Sequence, residues 1–120
     1  MTALVSDTRR NAHDLDRLRE EWRLKAREWA AAEDNASRLE EGRKMLMSSM
    51  RLELISAGMT IAKAEDNART SEQFKSYVRK MHDARRLAND LKIEAENANR
   101  LYWEQVNSEA NERSEKRMSR

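Results

Sequence analysis

Apolar residues recur every three and four positions along most of the chain, the spacing that gathers them on one face of an α-helix. From Asp7 to Ala57 one set falls at seven-residue steps: Leu15, Trp22, Trp29, Ala36, Arg43, Met50 and Ala57. A companion set three residues on reads Leu18, Lys25, Ala32, Leu39, Leu46 and Glu53. Together they form a heptad stripe interrupted at Lys25, Arg43 and Glu53. Past Gly42 the stripe becomes Leu46, Met47, Met50, Leu54 and Ala57, broader and nearer a 3.6-residue period. Ser6, Asp7 and Asp14 are candidate N-caps. Gly58 stands where a glycine would end the helix.

A second ladder is cleaner. Phe74, Met81, Ala88, Ala95 and Tyr102 lie seven apart, and Tyr77, Ala84, Leu91, Ala98 and Gln105 follow them by three. Thr70 and Gln73 have the spacing of a capping box at its start. The small residues Ala84, Ala88, Ala95 and Ala98 either admit a close neighbour helix or simply raise helix propensity. Between the ladders Thr60 can cap a short helix with Ile61, Ala64 and Ala68 on one side. The pattern thus predicts helices over 7–57, 60–69 and 71–113 in one helical domain, 1–120, with a frayed tail at 114–120.

If the long helices fold back on each other, similar chemistry meets. Trp22 and Trp29 would flank the level of Tyr102 and Trp103, and Leu39 would face Asp90. Met47 and Met50 would sit level with Met81, and Leu54 and Ile55 would face Phe74. This agreement predicts an all-α fold: a long, coiled-coil-like antiparallel hairpin with a short helix in the connection. One stripe per helix is a thin core. The expectation is therefore a homodimer, a four-helix bundle burying Leu24, Leu87, Leu101 and the Trp cluster.

Composition sharpens this by exclusion. The 120 residues include no Pro, no Cys and two Gly, with 38 % charged residues. Turn-rich β and α/β folds draw on Gly and Pro, and disulfides and thiolate metal sites need Cys. The net charge of +2 favours neither nucleic acid nor membrane by itself. No apolar run resembles a signal peptide or a membrane span. A cytoplasmic protein with no membrane partner is expected.

The chemistry-bearing residues are few. A phosphate-cradling loop needs clustered glycines, and Gly42 and Gly58 are far apart. His13 and His82 follow Arg10 and Arg79 by three residues, so the Glu-x-x-His spacing of a di-metal bundle is absent. Paired carboxylates such as Glu20–Glu21 and Glu65–Asp66 sit near cations at helical spacing and read as solvated faces. No catalytic residue, metal ligand or cofactor is expected. On the second long helix Lys75, Arg79, His82 and Arg86 recur at steps of four, three and four, flanked by Lys80 and Arg85. Such a row suits phosphate contact, and it equally suits an ordinary salt-bridged surface. Trp22, Trp29, Tyr102 and Trp103 are the interface candidates. Trp103 falls one position off the stripe, where packing within the hairpin explains it least.

The stretch from Leu39 to Arg117 resembles a group of small phage-encoded all-helical proteins. The resemblance is carried by Ala64-Glu65-Asp66-Asn67-Ala68-Arg69-Thr70-Ser71, Phe74, Ala84-Arg85-Arg86-Leu87-Ala88-Asn89, Tyr102-Trp103 and Glu112-Arg113. Most such proteins have no known function, and many lie among early phage genes that handle DNA, including recombination. The resemblance implies phage origin, the host bacterial cytoplasm and a stronger case for DNA. It transfers no catalytic residue. The expected function is a non-enzymatic coiled-coil protein acting through an unidentified partner protein. The alternatives are a DNA-binding accessory of phage recombination or replication, and an inhibitor of a host or defence protein.

Overall fold

A computed structural model describes the backbone of residues 2–118 and the side chains of residues 12–118. Three helices, α1 (Thr2–Ser56), α2 (Ile61–Thr70) and α3 (Glu72–Met118), account for the secondary structure, with no strand among the described residues. None of the described helices is long and apolar enough to cross a membrane.

The long helices outrun their expected limits. Ser6, Asp7 and Asp14 lie inside α1 rather than at its start, because nothing before them breaks a helix. The expected frayed tail from 114 is helical to Met118. It has no Gly or Pro, and Lys116 and Arg117 in its last turn oppose the negative end of the helix dipole.

The connections follow local chemistry. Gly58 adopts φ +103°, a conformation that other residues rarely reach. Its N–H donates to the Ile55 carbonyl at 3.0 Å, and the Met59 N–H donates to the Leu54 carbonyl at 3.1 Å. These two bonds are a Schellman motif, which ends α1. Thr60 then caps α2, its hydroxyl accepting the Lys63 N–H at 3.4 Å. The cap of α3 is Ser71, one residue after the expected Thr70. Ser71 Oγ accepts the Phe74 N–H at 3.2 Å and donates to the Ala68 carbonyl at 2.7 Å, so one hydroxyl closes α2 and opens α3. Thr70 instead donates back to the Asp66 carbonyl at 2.8 Å, inside α2.

Packing divides the residues into two units. In the unit of residues 30–89, α1 and α3 run antiparallel: Glu33 meets Arg85, Leu39 meets Tyr77 and Arg43 meets Phe74. This corrects the expected register, in which Leu39 faced Asp90 and Leu54 faced Phe74. The cause is α2. It lies opposite the end of α1, where Glu65 and Arg69 share a cleft with Met47 and Ser48. The end of α1 is thereby used on α2, and α3 begins opposite Arg43. The seam is narrow: Ala36 packs with Ala84 and Ala88, joined by Ala32 and Leu39. Ala64 and Ala68 are buried on α2. Burial of Ala84 and Ala88 favours close helix approach over mere propensity as the reason for these alanines. Past Gly42 the half-buried positions on α1 include Leu46, Met47, Met50, Leu54 and Ile55, which leaves Glu53 outside.

In the other unit, residues 1–29 with 90–120, Trp22 meets Tyr102 and Lys25 meets Glu94, again antiparallel. Among its described residues Ala95 and Ala98 are buried. The stripe interruption Lys25 lies 3.2 Å from Glu94 and 3.7 Å from Glu28. The Glu94 hydrogen bond, then the charges of Glu94 and Glu28, push the Lys25 ammonium above its ordinary range. Its contribution is therefore complete at neutral pH and is lost only as pH rises through that raised value.

Candidate functional site

Side chains of the basic row keep the positions that helical spacing assigns them. Lys75, Arg79, His82 and Arg86 are all exposed on α3. Arg79 reaches Glu72 at 3.8 Å. Arg85, which flanked the row in the sequence, does not belong to it. Its guanidinium forks between Glu33, at 2.6 Å, and Glu40, both on α1. The hydrogen bonds to Glu40 and Glu33 raise its already high pKa. Arg85 is thus a clamp between helices. Arg85→Ala is expected to lower the melting temperature, and by less in about 1 M salt, where the screening length falls to about 3 Å. Thermal melts at low and high NaCl check this.

Two members of the row gain company from other helices. A cleft of about 340 Å³ is lined by Arg43 of α1, Arg69 of α2, and Phe74, Lys75, Val78 and Arg79 of α3. No carboxylate lines it. His82 and Arg86 lie further along α3 and do not reach it. A second cleft, about 510 Å³, shares Arg43, Arg69 and Phe74 but also contains Glu40 and Glu65. The Arg43 guanidinium stands 5.9 Å from the centre of the Phe74 ring, a cation–π arrangement. The stripe interruption at Arg43 therefore marks the cleft. Its sequence signal was a cation at a core heptad position.

Sequence spacing brings three of the four aromatic interface candidates together in the other unit. Trp22 stacks on Tyr102 with centroids 5.6 Å apart, and Trp103 meets the edge of Tyr102 at 5.3 Å. Trp29 makes no ring contact among the described residues. Its indole N–H is buried without a hydrogen-bond partner, as is Asn99 Oδ1. Trp103 remains 51 % exposed, and Leu24 and Leu101 are 54 % and 48 % exposed.

Gly42 and Tyr77, which the sequence pattern places on separate helices with no link between them, are coupled. The Tyr77 hydroxyl donates to the Leu39 carbonyl at 2.7 Å. It can approach the α1 backbone because position 42 is glycine: a Cβ there would overlap the hydroxyl. Gly42 is a notch for Tyr77. The legible signal was a lone glycine inside a strong helix pattern.

The described residues hold no group of three or more His, Asp or Glu placed to bind a metal ion. The chain matches no protein-family model, no curated protein and no solved structure.

Proposed function

We propose that this chain is a non-enzymatic helical interaction module, which self-associates as a homodimeric four-helix assembly and acts through a partner protein. The carrying observation is the mismatch between its seam and its surface. Alanines fill the seam and no large side chain is fully buried among the described residues, while Leu24, Leu87, Leu101 and Trp103 stand about half exposed. Burying such side chains gains about 25 cal/mol per Å² of apolar surface, and Trp is favoured in interface centres. Sedimentation velocity across a micromolar concentration series tests self-association. The double variant Leu24→Lys with Leu101→Lys is expected to weaken it at least about tenfold, about 1.4 kcal/mol, while helicity persists. A folded monomer at every concentration would sink the dimer. Trp103→Ala is expected to lose a captured partner protein while keeping its helical spectrum.

A second reading, a DNA-binding accessory of the kind that the phage-protein resemblance implies, is supported by the exposure of Lys75, Arg79, His82 and Arg86. Among the described residues no carboxylate pairs with Lys75, His82 or Arg86.

A further inference from the structure

We propose that the cleft between α1, α2 and the start of α3 holds a phosphate group of a nucleic-acid strand, with Arg43, Arg69, Lys75 and Arg79 as its ligands. This inference rests on the DNA-binding reading and locates where the strand is gripped. Sequence spacing along α3 could supply only Lys75 and Arg79. The fold adds Arg43 and Arg69 from two other helices, around a space of about 340 Å³ that no carboxylate lines. A cationic row on one helix is commonly a solvated face. Four cations converging from three helices on one concavity are not explained by solvation.

The cations are free to change partners. Arg69 touches Glu65 at 3.6 Å and Arg79 touches Glu72 at 3.8 Å, long contacts between exposed groups that hold little energy. Arg43 lies over the Phe74 ring rather than on a carboxylate. Lys75 has no ion-pair partner among the described residues. The adjoining larger cleft sets Glu40 and Glu65 against Arg43, Lys44 and Arg69, so its positive charge is partly cancelled, which favours the carboxylate-free smaller cleft as the phosphate position.

The ligand is a strand rather than an isolated phosphate because the cationic surface continues. From Lys75 the row runs through Arg79 and His82 to Arg86, about 16 Å along the helix axis at 1.5 Å per residue. A linear polyanion can follow it away from the cleft. Recognition is of the backbone, independent of base sequence. Phe74 is buried beneath Arg43 and presents no open ring face for a base.

The test is fluorescence anisotropy of a labelled single-stranded DNA of about 20 nucleotides, titrated with the full chain between about 50 and 200 mM salt. Arg43→Gln with Arg69→Gln is expected to weaken binding about tenfold at low salt. It should also flatten the slope of log affinity against log salt by about 1.4, at about 0.7 for each phosphate charge left unneutralised. Arg69→Gln alone, an exposed change that spares the Arg43–Phe74 contact, should flatten it by about half as much. Arg100→Ala, an exposed arginine of the other unit, should leave both unchanged. If Arg100→Ala weakens binding equally, the effect is one of overall charge and the cleft is overturned. If His82→Ala with Arg86→Ala weakens binding but the cleft variants do not, the cleft is overturned and the DNA-binding reading stands. No binding at about 50 mM salt overturns both.

Discussion

Phe74→Ala is expected to destabilise the protein by about 3–4 kcal/mol, the lower part of the range for a buried phenylalanine. Phe74 is 5 % exposed and, with Met81, is one of two large side chains in a buried set otherwise made of alanine among the described residues. Few other groups can compensate its loss. Its N–H also completes the Ser71 cap, so the ring is anchored at the first turn of α3. Two effects pull in opposite directions. The ring borders two open clefts, so water can fill part of the space it vacates, which limits the cavity cost. Its removal also strips the Arg43 guanidinium of the ring face it covers, which adds to the loss. Urea denaturation at fixed protein concentration measures the sum, with the m-value expected unchanged. Leu52→Ala, at a side chain 64 % exposed on α1, is the comparison and should shift stability by less than about 0.5 kcal/mol. A loss at Phe74 below about 1 kcal/mol would mean that this junction is not where the helices are held.

The same residue shows how far periodicity reads a fold of this kind. Phe74, Met81, Ala88 and Ala95, the first four positions of the second ladder, are all buried. Gly58 and Thr60 act as their residue types predict, since a left-handed glycine and an extended Thr are local requirements. Register is a different matter. An interrupted apolar stripe can be matched to a second one at many offsets along the helix axis, so the stripe alone cannot fix which residue faces which. The length of α1 paired with α2 decides it, and nothing in the stripe marks that length. The choice of Ser71 over Thr70 follows the same cause: both residues can cap, and where α2 ends selects between them. Arg85 and Arg43 were ambiguous because a cation's partners lie on another helix. Once the register is set, Glu33 and Glu40 draw Arg85 inward, and Arg43 turns onto Phe74. The aromatic pairing of Trp22 with Tyr102 was legible because the fold-back rule tolerates a few residues of error for rings that reach several ångströms.

Gly42→Ala tests the coupling that periodicity cannot see, and its sign depends on residue 77. Inside a helix, alanine is better than glycine by about 1 kcal/mol, so the bare expectation is a gain. With tyrosine present the added methyl must displace the hydroxyl. That costs the bond to the Leu39 carbonyl, about 1 kcal/mol, and a further 1–3 kcal/mol of overpacking. The net result is a loss of about 1–3 kcal/mol. Tyr77→Phe alone should cost only about 1 kcal/mol, because the Leu39 carbonyl keeps its own intrahelical bond. The double variant removes the conflict. The ring carbon that bore the hydroxyl lies 3.5 Å from a Cβ at position 42, an ordinary contact, so the methyl fits and its propensity gain is recovered. The double variant is then expected near wild-type stability, with a coupling energy of about 2–4 kcal/mol between sites thirty-five residues apart in sequence. Additive losses in this double-mutant cycle would show that the hydroxyl does not sit in the notch.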